Sequence, residues 1–177
     1  MRSSGINFSD YEKVVPEHKK KIDFLFLCWF IGFSEADGSF VSSILSNGSL
    51  RNFFFITQKD PKVLYFIKKE IGFGRVRERK DGFYQYYVSD HKNIDRLIRI
   101  FNGNLHLEKS SYRLKGWFAA YLKYTKIVDK VTYRSFEEFG PQLSLNNAWF
   151  SGFIDGEGCF NVQIREDYKL KFRFTIS

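Results

Sequence analysis

Two short segments end in one pattern, an acid, a small residue, a second acid and a glycine: Glu35-Ala36-Asp37-Gly38 and Asp155-Gly156-Glu157-Gly158. Each follows an apolar stretch of helical character, so Asp37 and Glu157 fall at the C-terminal ends of two helices. That end carries the negative pole of the helix dipole and disfavours a carboxylate by about 0.3–1 kcal/mol. Two such carboxylates brought together would also repel each other. A bound cation compensates both effects. Hard carboxylate oxygens suit Mg²⁺, which takes one or two protein carboxylates and keeps room for water and phosphate oxygens. The chemistry such a site supports is phosphodiester hydrolysis. Gly38 and Gly158, residues suited to a left-handed helix cap, put backbone beside the same metal site. Glu35 and Asp155 point elsewhere on their helices and read as structural.

The elements that position these acids repeat. Residues 29–40 return as 149–160 with every position shifted by 120, and Phe54-Phe55-Ile56-Thr57 maps without a gap onto Phe174-Thr175-Ile176-Ser177. Tryptophan, both glycines and the acid-x-acid-Gly ending stay in step. Gly32 and Ala36, and Gly152 and Gly156, each form a small-x-x-x-small face that allows close approach of two helix backbones. The spacing predicts a first helix over Lys21 to Ala36, then strands Ser39–Ser46 and Arg51–Gln58 joined at Asn47-Gly48. A helix opens at Asp60-Pro61 and runs to about Ile71. A second hairpin, Arg75–Arg79 and Phe83–Ser89, turns at Asp81-Gly82. Helices follow from His91 to Phe101 and from Ser110 or Ser111 to about Val128. The division expected is an N-terminal extension at 1–20, a complete unit at 21–130, a linker at 131–146 and the start of a second unit at 147–177.

Arg75, Arg77 and Arg79 alternate along a strand and share one face. Arginine reads guanine edges bidentately and also binds phosphate, and a β-ribbon can enter the DNA major groove. Gln85 and Tyr87 on the neighbouring strand, with Ser43 and Arg51 on the first hairpin, are further contacts. A formal net charge of +8 over 177 residues fits a polyanionic partner. Membrane insertion is excluded, since the longest apolar run, Phe24 to Phe33, is half the roughly 20 residues a span needs. The polar first residues lack the apolar core of a secretory signal. Cys28 and Cys159 lack the number and spacing for a disulfide framework or a zinc site. Abundant Phe, Tyr, Lys, Ile and Asn matches A+T-rich codons, as in many organelle genomes; an organelle is the expected compartment, the mitochondrion placed ahead of the chloroplast.

Phe30 to Gly38 and Phe150 to Gly158 resemble two LAGLIDADG motifs, and the chain is similar to the homing endonucleases that carry them. The resemblance implies an α+β fold of αββαββα units with a saddle-shaped antiparallel sheet, the second repeat being truncated. It implies double-stranded DNA as partner and divalent metal on the last motif acids, Asp37 and Glu157. Gln58 resembles the glutamine at the margin of the family's active site, and Lys109 the basic residue near the scissile phosphate. No counterpart of either follows in the second repeat. Three readings stand: a Mg²⁺-dependent site-specific endonuclease, a maturase-like protein that binds its intron RNA, and an inactive fragment. The two repeats form a pseudo-dimer within the chain, or a homodimer if the second repeat is not used.

Overall fold

The structure is a computed structural model and describes residues 5–15, 20–124, 136–137, 140–164 and 169–176. Asp23 opens the long helix α2 (Phe24–Asp37) by accepting from the Phe26 N–H, satisfying one of the donors a helix start leaves over. The chain then passes directly into β1 (Gly38–Ile44) and β2 (Leu50–Gln58). Next come α3 (Lys62–Ile71), β3 (Arg75–Glu78), β4 (Tyr84–Val88), α4 (His91–Phe101) and α5 (Glu108–Tyr124). A short helix α1 (Ser9–Glu12) precedes this unit, and α6 (Trp149–Glu157), β5 (Gly158–Ile164) and β6 (Leu170–Ile176) follow it. From α2 onward the order of helices and strands is the expected one, whereas α1 is unexpected. The expected helix end near Val128 and most of residues 131–139 lie outside the described residues.

Both hairpins of the first unit use the same loop. Leu45 N–H bonds to Ser49 O and Gly48 N–H to Leu45 O, while Arg79 N–H bonds to Phe83 O and Gly82 N–H to Arg79 O. Gly48 and Gly82 take φ of 76° and 79°, the left-handed position that closes a three-residue loop. The Asn-Gly and Asp-Gly pairs therefore mark the turns correctly, although β1 and β3 end one or two residues before the expected Ser46 and Arg79.

The four strands form one antiparallel sheet in the order β1-β2-β4-β3. Its register sorts the residues by face. Phe40, Phe54, Ile56, Tyr86 and Val88 point inward and meet α2, α4 and α5 in a core with Phe30, Ile31, Leu97, Phe101 and Trp117. The N-terminal extension belongs to that core: Phe8 and Tyr11 are buried, Asn7 exchanges two hydrogen bonds with Asn104, and Asp10 pairs with Arg99 at 3.5 Å.

In the second repeat β5 and β6 pair in the register of β1 and β2, placing Phe160 opposite Phe174 as Phe40 stands opposite Phe54. Seven apolar residues line one side of this ribbon. All are exposed, Phe160 by 76% and Phe172 by 73%. No described helix is long and apolar enough to cross a membrane.

Candidate active site and nucleic-acid interface

The two motif helices lie backbone against backbone. A methyl group added at Gly32 would overlap the Trp149 carbonyl oxygen, and one at Gly152 would overlap the Trp29 carbonyl oxygen. A Cβ at Gly156 would strike Ala36 and sit 3.2 Å from Asp37 Oδ2. These four small residues are the helix interface that the repeat predicts. Gly38 and Gly158 depart from expectation. Their φ of −78° is not left-handed, and each backbone is extended. Glycine is needed there because a side chain would strike the carbonyl of Ser34 or Ile154 as the helix passes straight into its strand.

This crossing brings the acids together. The Asp37 carboxyl titrates above the usual aspartate range, first because it is partly buried and then because Glu157 stands close by, with a hydrogen bond from Gln58 pulling the other way. Gln58 Nε2 donates to Asp37 Oδ2 at 2.6 Å, so the last residue of β2 holds the carboxylate at the end of α2. Asp37, Glu157 and Gln58 thus form one site. Lys109 lies in the first turn of α5, exposed and without a hydrogen bond or ion pair among the described residues.

Two carboxylates that repel each other, one of them partly buried, are a donor set a divalent cation would relieve, with open positions left for water and phosphate oxygens. Among the described residues no cluster of three or more His, Cys, Asp or Glu offers a closed cage. The residues present fit Mg²⁺, which needs no such cage.

Sequence spacing missed a pair of matching clamps. Trp149 Nε1 donates to Glu35 at 2.6 Å, and its repeat counterpart Trp29 donates to Asp155 at 2.7 Å. Each tryptophan stacks on the phenylalanine four residues later, Phe153 or Phe33. Glu35 does more than its counterpart. It accepts from the backbone N–H groups of His106 and Leu107 and from Ser110, fixing the start of α5 and hence Lys109 relative to the helix pair. Burial pushes its carboxyl up to about 7 in spite of these donors. His106 Nδ1 lies 2.9 Å from Pro141 O, which suits an Nδ1–H donor, and burial lowers the ring's pKa.

Most of the candidate contact residues lie on the outward sheet face. Strand register puts Ser43, Arg51, Tyr87, Arg75 and Arg77 on the side opposite the core. Arg79 lies just past β3 and pairs with Asp81 at 2.9 Å. Gln85 shares this face, but it is only 3% exposed. Its Oε1 accepts from Arg77 Nε and Nη2 while its Nε2 donates to Thr57, and Arg77 also lies over the Tyr87 ring at 4.4 Å. Gln85 therefore holds Arg77 rather than offering a free edge of its own. Strand alternation gives the face of a residue and not what lies over it.

Comparison with known proteins agrees with this architecture. The sequence model of the LAGLIDADG endonucleases matches residues 30–121. The "Probable intron-encoded endonuclease 4" of Neurospora crassa is 42% identical over 147 residues, covering 80% of this chain and 25% of that protein. The "Intron-encoded RNA maturase bI4" of Saccharomyces cerevisiae is 27% identical, with 84% and 21% covered. The chain thus spans a quarter or less of these two relatives. Among solved structures, the meganuclease I-AabMI bound to uncleaved DNA superposes with a TM-score of 0.63 at 21% identity, covering 84% of this chain and 65% of that one. That likeness establishes the fold. With the family match over half its length and both motif helices paired as the repeat requires, this chain belongs to the LAGLIDADG endonuclease family.

Proposed function

We propose that the chain is a site-specific DNA endonuclease of the homing type, encoded in an organellar intron, that of a mitochondrion ahead of a chloroplast. The reaction is Mg²⁺-dependent phosphodiester hydrolysis at a long target read in the major groove. The observation that carries this reading is the meeting of Asp37 and Glu157 beside Gln58, at the end of a sheet whose outer face bears arginines.

Asp37 and Glu157 would hold the divalent ion, which when bound supplies positive charge at the phosphate and lowers the pKa of water. Gln58 keeps the Asp37 carboxylate oriented through its Nε2–H, leaving its own carbonyl oxygen to accept from water. Lys109, carried on a helix start that Glu35 anchors, balances the charge that builds on the phosphate. Arg51, Arg75, Arg77 and Arg79, with Ser43 and Tyr87, lie against the duplex. Gln85 stiffens Arg77 for that contact. No nucleophilic side chain takes part.

The test is cleavage of a supercoiled plasmid library carrying random inserts. Linear or nicked products should form with Mg²⁺ and vanish with EDTA or with Asp37→Asn. Equal cutting by the variant would refute the assignment of Asp37.

Similarity to a maturase favours a second reading, in which the same basic surface supports folding of the intron RNA. Splicing support that survives loss of Asp37, without DNA cleavage by the parent chain, would select it.

A further inference from the structure

The outer sheet face runs on beyond its strands. At the end of the sheet remote from Asp37 it opens into a groove of about 1030 Å³ between the start of β3 and the first turn of α4. Five cations line it: Arg51, Arg75, Arg77, Lys92 and Arg96. None of them forms an ion pair among the described residues. Elsewhere Lys13, Lys62, Lys69, Arg79 and Arg99 each have a carboxylate within 4 Å. The one carboxylate in the groove lining is Asp90, and its two oxygens are engaged by the backbone and side-chain nitrogens of Asn93 as the cap of α4. Like charges gathered without counter-charges destabilise the chain that holds them, and a polyanion reverses that effect.

The groove is also built. Arg96 is nine-tenths buried, its Nη1 donates to Asn93 Oδ1 at 2.9 Å, and its guanidinium faces the Phe73 ring at 5.8 Å. Arg77 is fixed by Gln85 and Tyr87. Two of the five cations therefore lose little freedom on binding. Lys92 and Arg75 remain exposed around them.

Its position along the sheet selects the ligand. Gln58, bonded to Asp37, and Arg51 are seven residues apart on β2, about 23 Å at the rise of an extended strand. A DNA duplex laid along the strand covers that distance in about seven base pairs. Three of the five cations, Arg51, Arg75 and Arg77, already belong to the sheet's outer face, so one duplex can occupy face and groove without a break.

We infer that this groove grips the sugar-phosphate backbone of the DNA duplex as it leaves the sheet, with Lys92 and Arg96 of α4 contacting phosphates about seven base pairs from the cut. The inference rests on the DNA-binding reading of the sheet and adds α4 to the interface. Lysine acts here as a point charge on phosphate and carries no base preference.

The test measures binding of the full chain to a duplex of roughly 30 base pairs across a salt series, long enough to pass the groove on either side. Lys92→Ala should weaken binding about threefold to tenfold at low salt and reduce the slope of log K against log salt by about 0.9, the value for one lost phosphate contact. Lys92→Arg should restore both. Lys62→Ala, on α3 and paired with Asp60, should leave both unchanged. Once a cut target is in hand, ethylation of the phosphates about seven base pairs from the cut should interfere with binding by the parent chain and not by Lys92→Ala. If Lys92→Ala binds like the parent while Arg75→Ala is weakened, the groove inference is overturned and the DNA reading stands. A parent chain that binds no duplex at all overturns both. Loss of binding to a structured RNA alone, with duplex binding intact, likewise overturns the groove inference.

Discussion

Trp149 donates its indole N–H to the buried carboxyl of Glu35, so a residue of the second repeat completes the polar surroundings of an acid in the first. The counterpart bond from Trp29 to Asp155 is exposed. Removing a donor from a buried group costs about 1–3 kcal/mol, and from an exposed one little, because water replaces it. Trp149→Phe should therefore destabilise the chain by that amount and Trp29→Phe by less than about 1 kcal/mol. Urea denaturation of the two variants gives the comparison, and equal losses would contradict it.

Gly32→Ala reverses the ordinary effect of that substitution. On an open helix surface alanine gains about 1 kcal/mol over glycine. Here the new methyl overlaps the Trp149 carbonyl, so the change should cost about 1–3 kcal/mol as an overpacked contact. Gly152→Ala should behave in the same way against Trp29. Gly116, whose surroundings are open, serves as the control in which alanine is tolerated. Thermal melts of the three variants decide the matter.

Asp37→Asn should raise the melting temperature by a few degrees in EDTA, since it removes a partly buried charge that Glu157 repels. Divalent cation should stabilise the parent chain by binding the folded state, by an amount that grows with concentration. The variant should lose most of that response. A parent melt indifferent to Mg²⁺ and Ca²⁺ would remove the metal from this site without any assay of cleavage.

Glu35 gives a pH dependence of stability with a definite sign. Its carboxyl titrates at about 7 in the folded chain, against an ordinary value of 4.5. Between these values the folded state holds a proton that the unfolded state has released, so stability falls as pH rises from about 4.5 to 7. The loss reaches up to about 3 kcal/mol. Glu35→Gln lacks this titration, so the parent's stability relative to the variant should decline over that window. Urea curves at several pH values measure the difference, in which other titrating groups largely cancel. A difference independent of pH would show that folding leaves the Glu35 carboxyl at its ordinary pKa.

Much of this architecture is legible in the residues because each signal is local or repeated. Gly32 and Gly152, set 120 positions apart within matching segments, announce a helix crossing by their spacing alone. Asn47-Gly48 and Asp81-Gly82 mark their turns for the same reason. The pairing of Asp37 with Gln58 is suggested only by family resemblance, since nothing in their spacing brings them together. The Trp149–Glu35 bond joins residues 114 apart, and Glu35 reads only as a structural acid, its partners unnamed, until α5 is placed beside it. Phe8 and Tyr11 are hidden by the polar residues around them, although both sit in the core. Gln85 is placed on the correct face by alternation, but its cover by Arg77 depends on side-chain conformation.

The unequal backing of the two sheets bears on mechanics. β2 and β4 are sealed beneath helices, whereas the apolar side of β5 and β6 has water against it. Amide hydrogens of the first pair should exchange with solvent only on global opening, and those of the second pair through cheap local fraying. The chain therefore joins one stiff flank, on the Arg75 side, to one compliant flank.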